Sequence, residues 1–219
     1  MTESDWLTTI HPTDLLKHRL TRDDRKRRLL DCACVRRVLH FLTDPRLVNA
    51  VAATEDLADG IIDWDRMKRT ARRDAMAALR ELRPRLRSHY SRYAAEAALG
   101  TTNREVKNEG MYMAGSTMGY TSRDYHANLE RELTEQVKLV RDIFGNPFRP
   151  VAFDPEWRTS SAIALAGQMY ESRDFAHMPI LADALQDAGC EHADVLAHCR
   201  GPGPHVRGCW VVDLVLGKG

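Results

Sequence analysis

From Leu30 the apolar side chains fall at every fourth position, at Cys34, Val38 and Leu42, with Val35 and Leu39 beside them. A four-residue step lays side chains along one face of a helix, whereas a strand needs a two-residue alternation, so the stretch is committed to an amphipathic helix. Related spacing returns at Met67, Ala71, Ala75, Ala78, Leu79 and Leu82, and again at Leu129, Leu133, Val137, Val140 and Phe144. The chain therefore reads as all-α, a multi-helix bundle of about eight to ten helices.

Punctuation between the stripes sets the organisation. Thr21, followed by Asp24, forms an acidic version of the capping arrangement that satisfies free N–H groups at a helix start. Thr43-Asp44-Pro45 ends one helix and opens the next, because proline fits a first turn but not a helix interior. Gly60 stops that second helix, a third runs from Asp63 to Leu82, and Pro84 breaks it. A fourth resumes from Leu86 to Gly100. Residues 101–121 then place Gly110, Gly115 and Gly119 among polar residues and methionines. Glycine costs about 1 kcal/mol per site inside a helix relative to alanine, so this segment reads as a linker or hinge. It separates an N-terminal lobe, 1–100, from a C-terminal lobe, 122–219, unless 1–219 is one continuous domain. In the C-terminal lobe Gly145-Asn146-Pro147 ends a long helix, and prolines 147, 150 and 155 demand extended or turning backbone. Short helices joined by Pro/Gly turns follow, opening near Thr159 or Ser160, Met178 and His192. Val206 to Leu216 is either a closing helix or a strand.

At 43% hydrophobic and a formal net charge of +1, the chain has no global pull toward nucleic acid or an anionic membrane. No run approaches the roughly 18 apolar residues of a membrane span, and Glu3, Asp5, His11, Asp14 and Lys17 leave no signal-peptide core. Five cysteines, an odd number, suit reduced thiols in a cytoplasm better than a secreted disulfide framework.

Three strings in the C-terminal third, RDIFGNPFRP from Arg141, PILADALQDAGC from Pro179 and HCRGPGPHVRGCWVVDLVLG from His198, resemble a paralogous family of planctomycete bacterial proteins. Cys32-Ala33-Cys34 with Arg36-Arg37 fits the same family. The resemblance spans most of the chain apart from the middle and carries over no catalytic residue.

Two constellations carry chemistry. Cys190, His192, His198, Cys199, His205 and Cys209 crowd the C-terminus, and thiolate and imidazole donors in fours suit zinc. The candidate metal ligands are Cys190, His198, Cys199, His205 and Cys209. A helix that begins just before Val206 would put His205 and Cys209 on one face. Against this, no Cys-x-x-Cys pair occurs, and the alternative makes Cys199 and Cys209 small buried hydrophobes with the histidines as surface or capping groups. Cys32 and Cys34 point about 200° apart on a helix, so they cannot share an ion; Cys34 belongs to the core stripe and Cys32 to a partly exposed flank.

The second constellation is basic. Arg22, Arg25, Lys26, Arg27 and Arg28 cluster at a helix start, and ten basic residues against five acidic ones lie between Asp63 and Glu96, Arg87 among them. Arg25, Arg28, Arg69, Arg72 and Arg73 are the candidate nucleic-acid contacts, by counterion release from phosphate. The same charges also suit a solvated face or an acidic partner surface. No phosphate loop, nucleophile elbow or zinc-protease motif appears. The expectation is a non-enzymatic, cytoplasmic protein-interaction module, with a protein partner or self-association. Nucleic-acid binding through the arginine-rich lobe and a structural zinc near the C-terminus are the alternatives, and no membrane association is expected.

Overall fold

The structure is a computed structural model describing residues 1–18, 21–86 and 88–218. Among the described residues every regular element is helical, and the chain divides into two units, 3–137 and 138–219.

The first unit holds α1 (Glu3–Thr8), α2 (Pro12–Leu15), α3 (Asp24–Arg36), α4 (Pro45–Ala58), α5 (Trp64–Met67), α6 (Arg73–Leu82), α7 (His89–Thr101), α8 (Glu109–Gly119) and most of α9 (Tyr125–Phe144). Helix α3 is capped by Asp23, whose carboxylate accepts from Lys26 N at 2.7 Å. Thr21, expected to contribute the cap, instead donates its hydroxyl to the His18 carbonyl at 2.7 Å. Asp44 and Asp63 cap the helices that follow them, each accepting from a backbone N–H. A π-helical turn over Lys68–Arg72 interrupts the helix expected from Asp63 to Leu82.

Helix α3 packs against α4, α7 and α8. It is therefore enclosed on more than one side, and every residue from Leu29 to Val35 is buried. This corrects the expectation for Cys32, which is 0% exposed and donates weakly to the Val51 carbonyl. Enclosure also requires the polar groups of α3 to find partners. Asp31 accepts from Gly110 N and Met111 N at the start of α8, at 3.2 and 2.7 Å. Arg37, just past α3, grips the buried carboxylate of Glu132, with Nε 2.9 Å from Oε1.

The segment expected as a linker is the site of α8, and the division between units falls at 137/138 instead. Its glycines serve packing. A Cβ on Gly110 would stand 2.8 Å from Val35 Cγ2, and one on Gly119 would strike the Tyr125 ring. The close helix approach repays the helix propensity these residues give up.

The second unit takes the end of α9, then α10 (Ser160–Ser172), α11 (Met178–Asp187), α12 (Ala193–Arg200) and α13 (Trp210–Leu216). Thr159 caps α10, and Pro179 sits in the first turn of α11. The segment left open between helix and strand is helical from Trp210. Its buried face of Val211, Val212 and Val215 joins Ala166, Met169, Leu181 and Leu185 in one core. Arg158 Nε closes the far end of α13 by donating to the carbonyls of Leu214 and Val215, at 3.2 and 3.1 Å, the first of which also accepts from Gly217 N. Tyr170 lies beneath two cations, Arg207 at 4.9 Å and Lys218 at 4.8 Å from its ring centre. Among the described residues no helix is long and apolar enough to cross a membrane.

Candidate metal centre

Four side chains from four segments of the second unit meet at one point. Asp142 comes from the last turn of α9, His198 from α12, His205 from the loop after it, and Cys209 from the residue that precedes α13. Their donor atoms all lie within 4.8 Å of one another. The first helix can stop there because Gly145 adopts φ +66, and Trp210 packs where a side chain at that position would sit. His205 and Cys209 do not meet as neighbours on a helix face, as the expected early start would have it. Their separation is bridged by loop, since α13 begins only at Trp210.

His205 Nδ1 lies 2.9 Å from Asp142 Oδ1, and His198 Nε2 lies 3.2 Å from the same oxygen. His198 Nε2 is also 3.2 Å from Cys209 Sγ. A ring nitrogen carries at most one hydrogen, so oxygen and sulfur can only share it in a three-centre bond. If it accepts from the thiol instead, its lone pair faces a carboxylate oxygen. The other oxygen, Oδ2, is held at 3.0 Å by Val206 N, which fixes the carboxylate plane and aims Oδ1 at the cluster.

Burial alone would push the Asp142 carboxyl up, but the bonds and charges from His198 and His205 outweigh it and hold it below the usual carboxylate range. Burial pushes the Cys209 thiol far up, with the Asp142 charge adding to the effect, while the N–H groups of Val212 and Val211 pull the other way. A cation at the centre reverses that balance, because a coordinated thiol is deprotonated outright. Tetrahedral zinc with nitrogen and oxygen ligands near 2.0–2.1 Å and sulfur near 2.3 Å sets its donors roughly 3.3–3.7 Å apart. The three contacting pairs, at 2.9, 3.2 and 3.2 Å, are a few tenths of an ångström shorter than that, while the widest of the other pairs reaches 4.8 Å, so the donors would have to shift by about 1 Å to close on an ion.

Of the five candidate ligands, the structure brings His198, His205 and Cys209 together. Cys190 and Cys199 are instead fully buried members of the hydrophobic core, and burial pushes the Cys199 thiol up to about 12. His192 precedes α12 and stands outside the cluster. Asp142 is the ligand the spacing did not disclose.

The candidate nucleic-acid residues lie in the first unit. Arg25 Nε bonds Asp59 Oδ1 at 3.1 Å. Arg28 donates to the carbonyls of Asn103 and Arg104 at 2.8 and 2.9 Å, and burial lowers its guanidinium below the ordinary value. Arg72 reaches Thr102 Oγ1 and Asn103 Oδ1 at 2.7 and 2.9 Å. Arg73 pairs with its neighbour Asp74, and Arg69 is exposed on the π-helical turn. Arg87 lies outside the described residues. Comparison with protein-family models, curated proteins and solved structures gives no match.

Proposed function

We propose that the second unit binds one zinc ion through Asp142, His198, His205 and Cys209, and that the ion acts as a structural clip in a non-enzymatic helical module. The observation that carries this reading is the convergence of four metal-ligating side chains, a carboxylate, two imidazoles and a thiol, with donor atoms all within 4.8 Å of one another. An ion at the centre satisfies all four at once. Four protein ligands complete a tetrahedron and leave no position for a substrate, which is the mark of a structural site.

A thiol–imidazole–carboxylate catalytic triad fits the same residues less well. In such a triad the imidazole uses one nitrogen for the nucleophile and the other for the carboxylate, whereas His198 presents Nε2 to both. Cys209 is moreover 0% exposed, and its thiol is pushed up rather than activated. All five cysteines are free, which favours the reducing cytoplasmic setting. The protein-interaction role rests on the same footing, as a clipped helical unit is a rigid surface rather than a reactive one. The arginines give nucleic-acid binding less support, because Arg25, Arg28 and Arg72 are spent on acceptors within their own unit.

Elemental analysis of the purified full chain tests the proposal. One zinc per chain is expected, falling well below that in Cys209→Ala and Asp142→Ala. Cobalt exchange should give thiolate-to-cobalt charge transfer with the strong visible bands of a tetrahedral site. A chain that folds without metal and takes up none on titration refutes it.

A further inference from the structure

Residues 66–83 present one positively charged face in the first unit. Arg66, Lys68, Arg69, Arg80 and Arg83 are all exposed, and among the described residues none of their side chains has an ion pair or a hydrogen bond. We infer that this face binds the phosphate backbone of a single-stranded nucleic acid, whose bases stack on the aromatic group where α7 begins; the inference is independent of the zinc reading.

The charges form a row. Steps of three and four, from Arg66 through Arg69, Arg73, Met76 and Arg80 to Arg83, put these side chains on the face away from the buried Met67, Ala75 and Ala78. At 1.5 Å per residue the row runs about 25 Å. A lone phosphate group needs only a compact cluster of cations, so a row of this length is complementary to a polyanion. The acids along it do not cancel the charge: Asp74 is taken by Arg73 and Glu81 by Arg46, which leaves exposed Asp65 beside the row. Arg25, Arg28 and Arg72, with acceptors inside their own unit, are not part of it. Arginine predominates, and its planar fork both grips phosphate oxygens in pairs and stacks on flat rings.

Aromatic rings follow directly in the chain, which reaches His89 six residues after Arg83, a span of at most about 20 Å. His89 stacks on Tyr120 with ring centres 5.1 Å apart, and Tyr93 stacks on Tyr120 at 5.2 Å with the planes 13° apart. Tyr120 is nevertheless 41% exposed, and His89 is exposed as well. Arg92 lies 5.3 Å from the centre of the Tyr93 ring and brings positive charge to the stack. A cationic track beside open rings is the arrangement that holds single strands without regard to sequence, because every base offers a π face. Bases in a duplex are already stacked on one another and closed to such rings, so the combination favours the single strand.

Fluorescence anisotropy of a labelled oligothymidine of about 20 nucleotides, titrated with the full chain, tests this. Five phosphate contacts, at a slope of about 0.7 each, predict an affinity that falls about a hundredfold between about 50 and 200 mM salt. Arg69→Ala combined with Arg80→Ala removes two exposed cations and should flatten the slope by about 1.4, with the circular dichroism and the urea midpoint unchanged. Tyr120→Ala should weaken binding about tenfold, and Tyr120→Phe should restore it. No binding at about 50 mM salt, a salt slope unmoved by the double substitution, or tighter binding to a duplex of the same length overturns the inference. Tighter binding to phosphatidylserine vesicles than to the oligonucleotide gives the face to a membrane surface and overturns it too. A Tyr120→Ala chain that binds like the wild type refutes the stacking. None of these substitutions should alter the zinc content, so the outcome is separate from that of the zinc proposal.

Discussion

Cys209 and Cys199 are both 0% exposed members of the same core, so they form an internal control for the metal reading. As buried hydrophobes, each should cost about 1 kcal/mol when cut to alanine, for one lost sulfur and the small cavity left behind. As a ligand, Cys209 carries a further share that exists only when zinc is present. With free zinc at a hundred times its dissociation constant, the bound ion stabilises the folded unit by about 2.7 kcal/mol. Cys209→Ala should therefore cost about 4 kcal/mol in zinc and about 1 kcal/mol in a chelator, while Cys199→Ala costs about 1 kcal/mol in both. Hydrogen exchange of peptides from 160–216 reads this unit separately from the first, and the zinc-dependent part appears as about a hundredfold loss of protection. Equal effects of the two substitutions in zinc, or no protection gained by the wild-type chain on adding zinc, would refute the argument.

Further predictions concern the first unit. Arg37→Ala strands the Glu132 carboxylate, 1% exposed, and should destabilise by about 3 kcal/mol, with Glu132→Gln in the same chain recovering part of the loss in urea unfolding. Burial lifts Asp31 from 3.8 to about 6 in spite of its two backbone donors, so the folded state holds that proton more tightly than the unfolded one. Its contribution of about 3 kcal/mol is fully present below about pH 3.8 and lost as pH rises through about 6; Asp31→Asn should remove that slope, and identical pH profiles for the two proteins would count against it. Gly110→Ala drives a methyl against Val35 and Asp31 and should cost about 1–3 kcal/mol in denaturant midpoint.

The helices were legible because four-residue spacing is a local property. The helix starts at Asp44-Pro45, near Asp63 and at Thr159, and the stop at Gly60, likewise needed only neighbouring residues. What failed was anything that depends on how many neighbours a helix has. The stripe on α3 implied one buried face, yet α4, α7 and α8 together bury a continuous run that includes Cys32 and Asp31. Glycines at 110, 115 and 119 looked like a hinge because propensity counts only the chain's own preference. Tertiary packing set that preference aside, since α8 approaches α3 at a distance a methyl group would block. Many of the arginines that suggested a phosphate-binding face are turned to carboxylates and carbonyls of their own unit for the same reason.

The metal centre shows the same divide more sharply. Spacing rules find ligands that share a loop or a helix face, and by that rule Cys190 and Cys199 were as eligible as His198 and His205. The four donors that converge are instead drawn from two helices, a loop and the residue before a third helix, and Asp142 lies 56 positions from the nearest of them in sequence, His198. One local sign did mark Asp142. It follows Leu139 by three positions and adjoins Ile143 on the buried side of α9, where a carboxylate is expensive unless something neutralises it. An acid on an apolar face, and a terminal stretch with more histidines and cysteines than its core needs, are each weak alone. Each lacks what the other supplies, since the acid needs positive charge and the soft donors need a fourth ligand. Pairing such complementary deficits across distant segments is a physical criterion that spacing within one segment cannot replace.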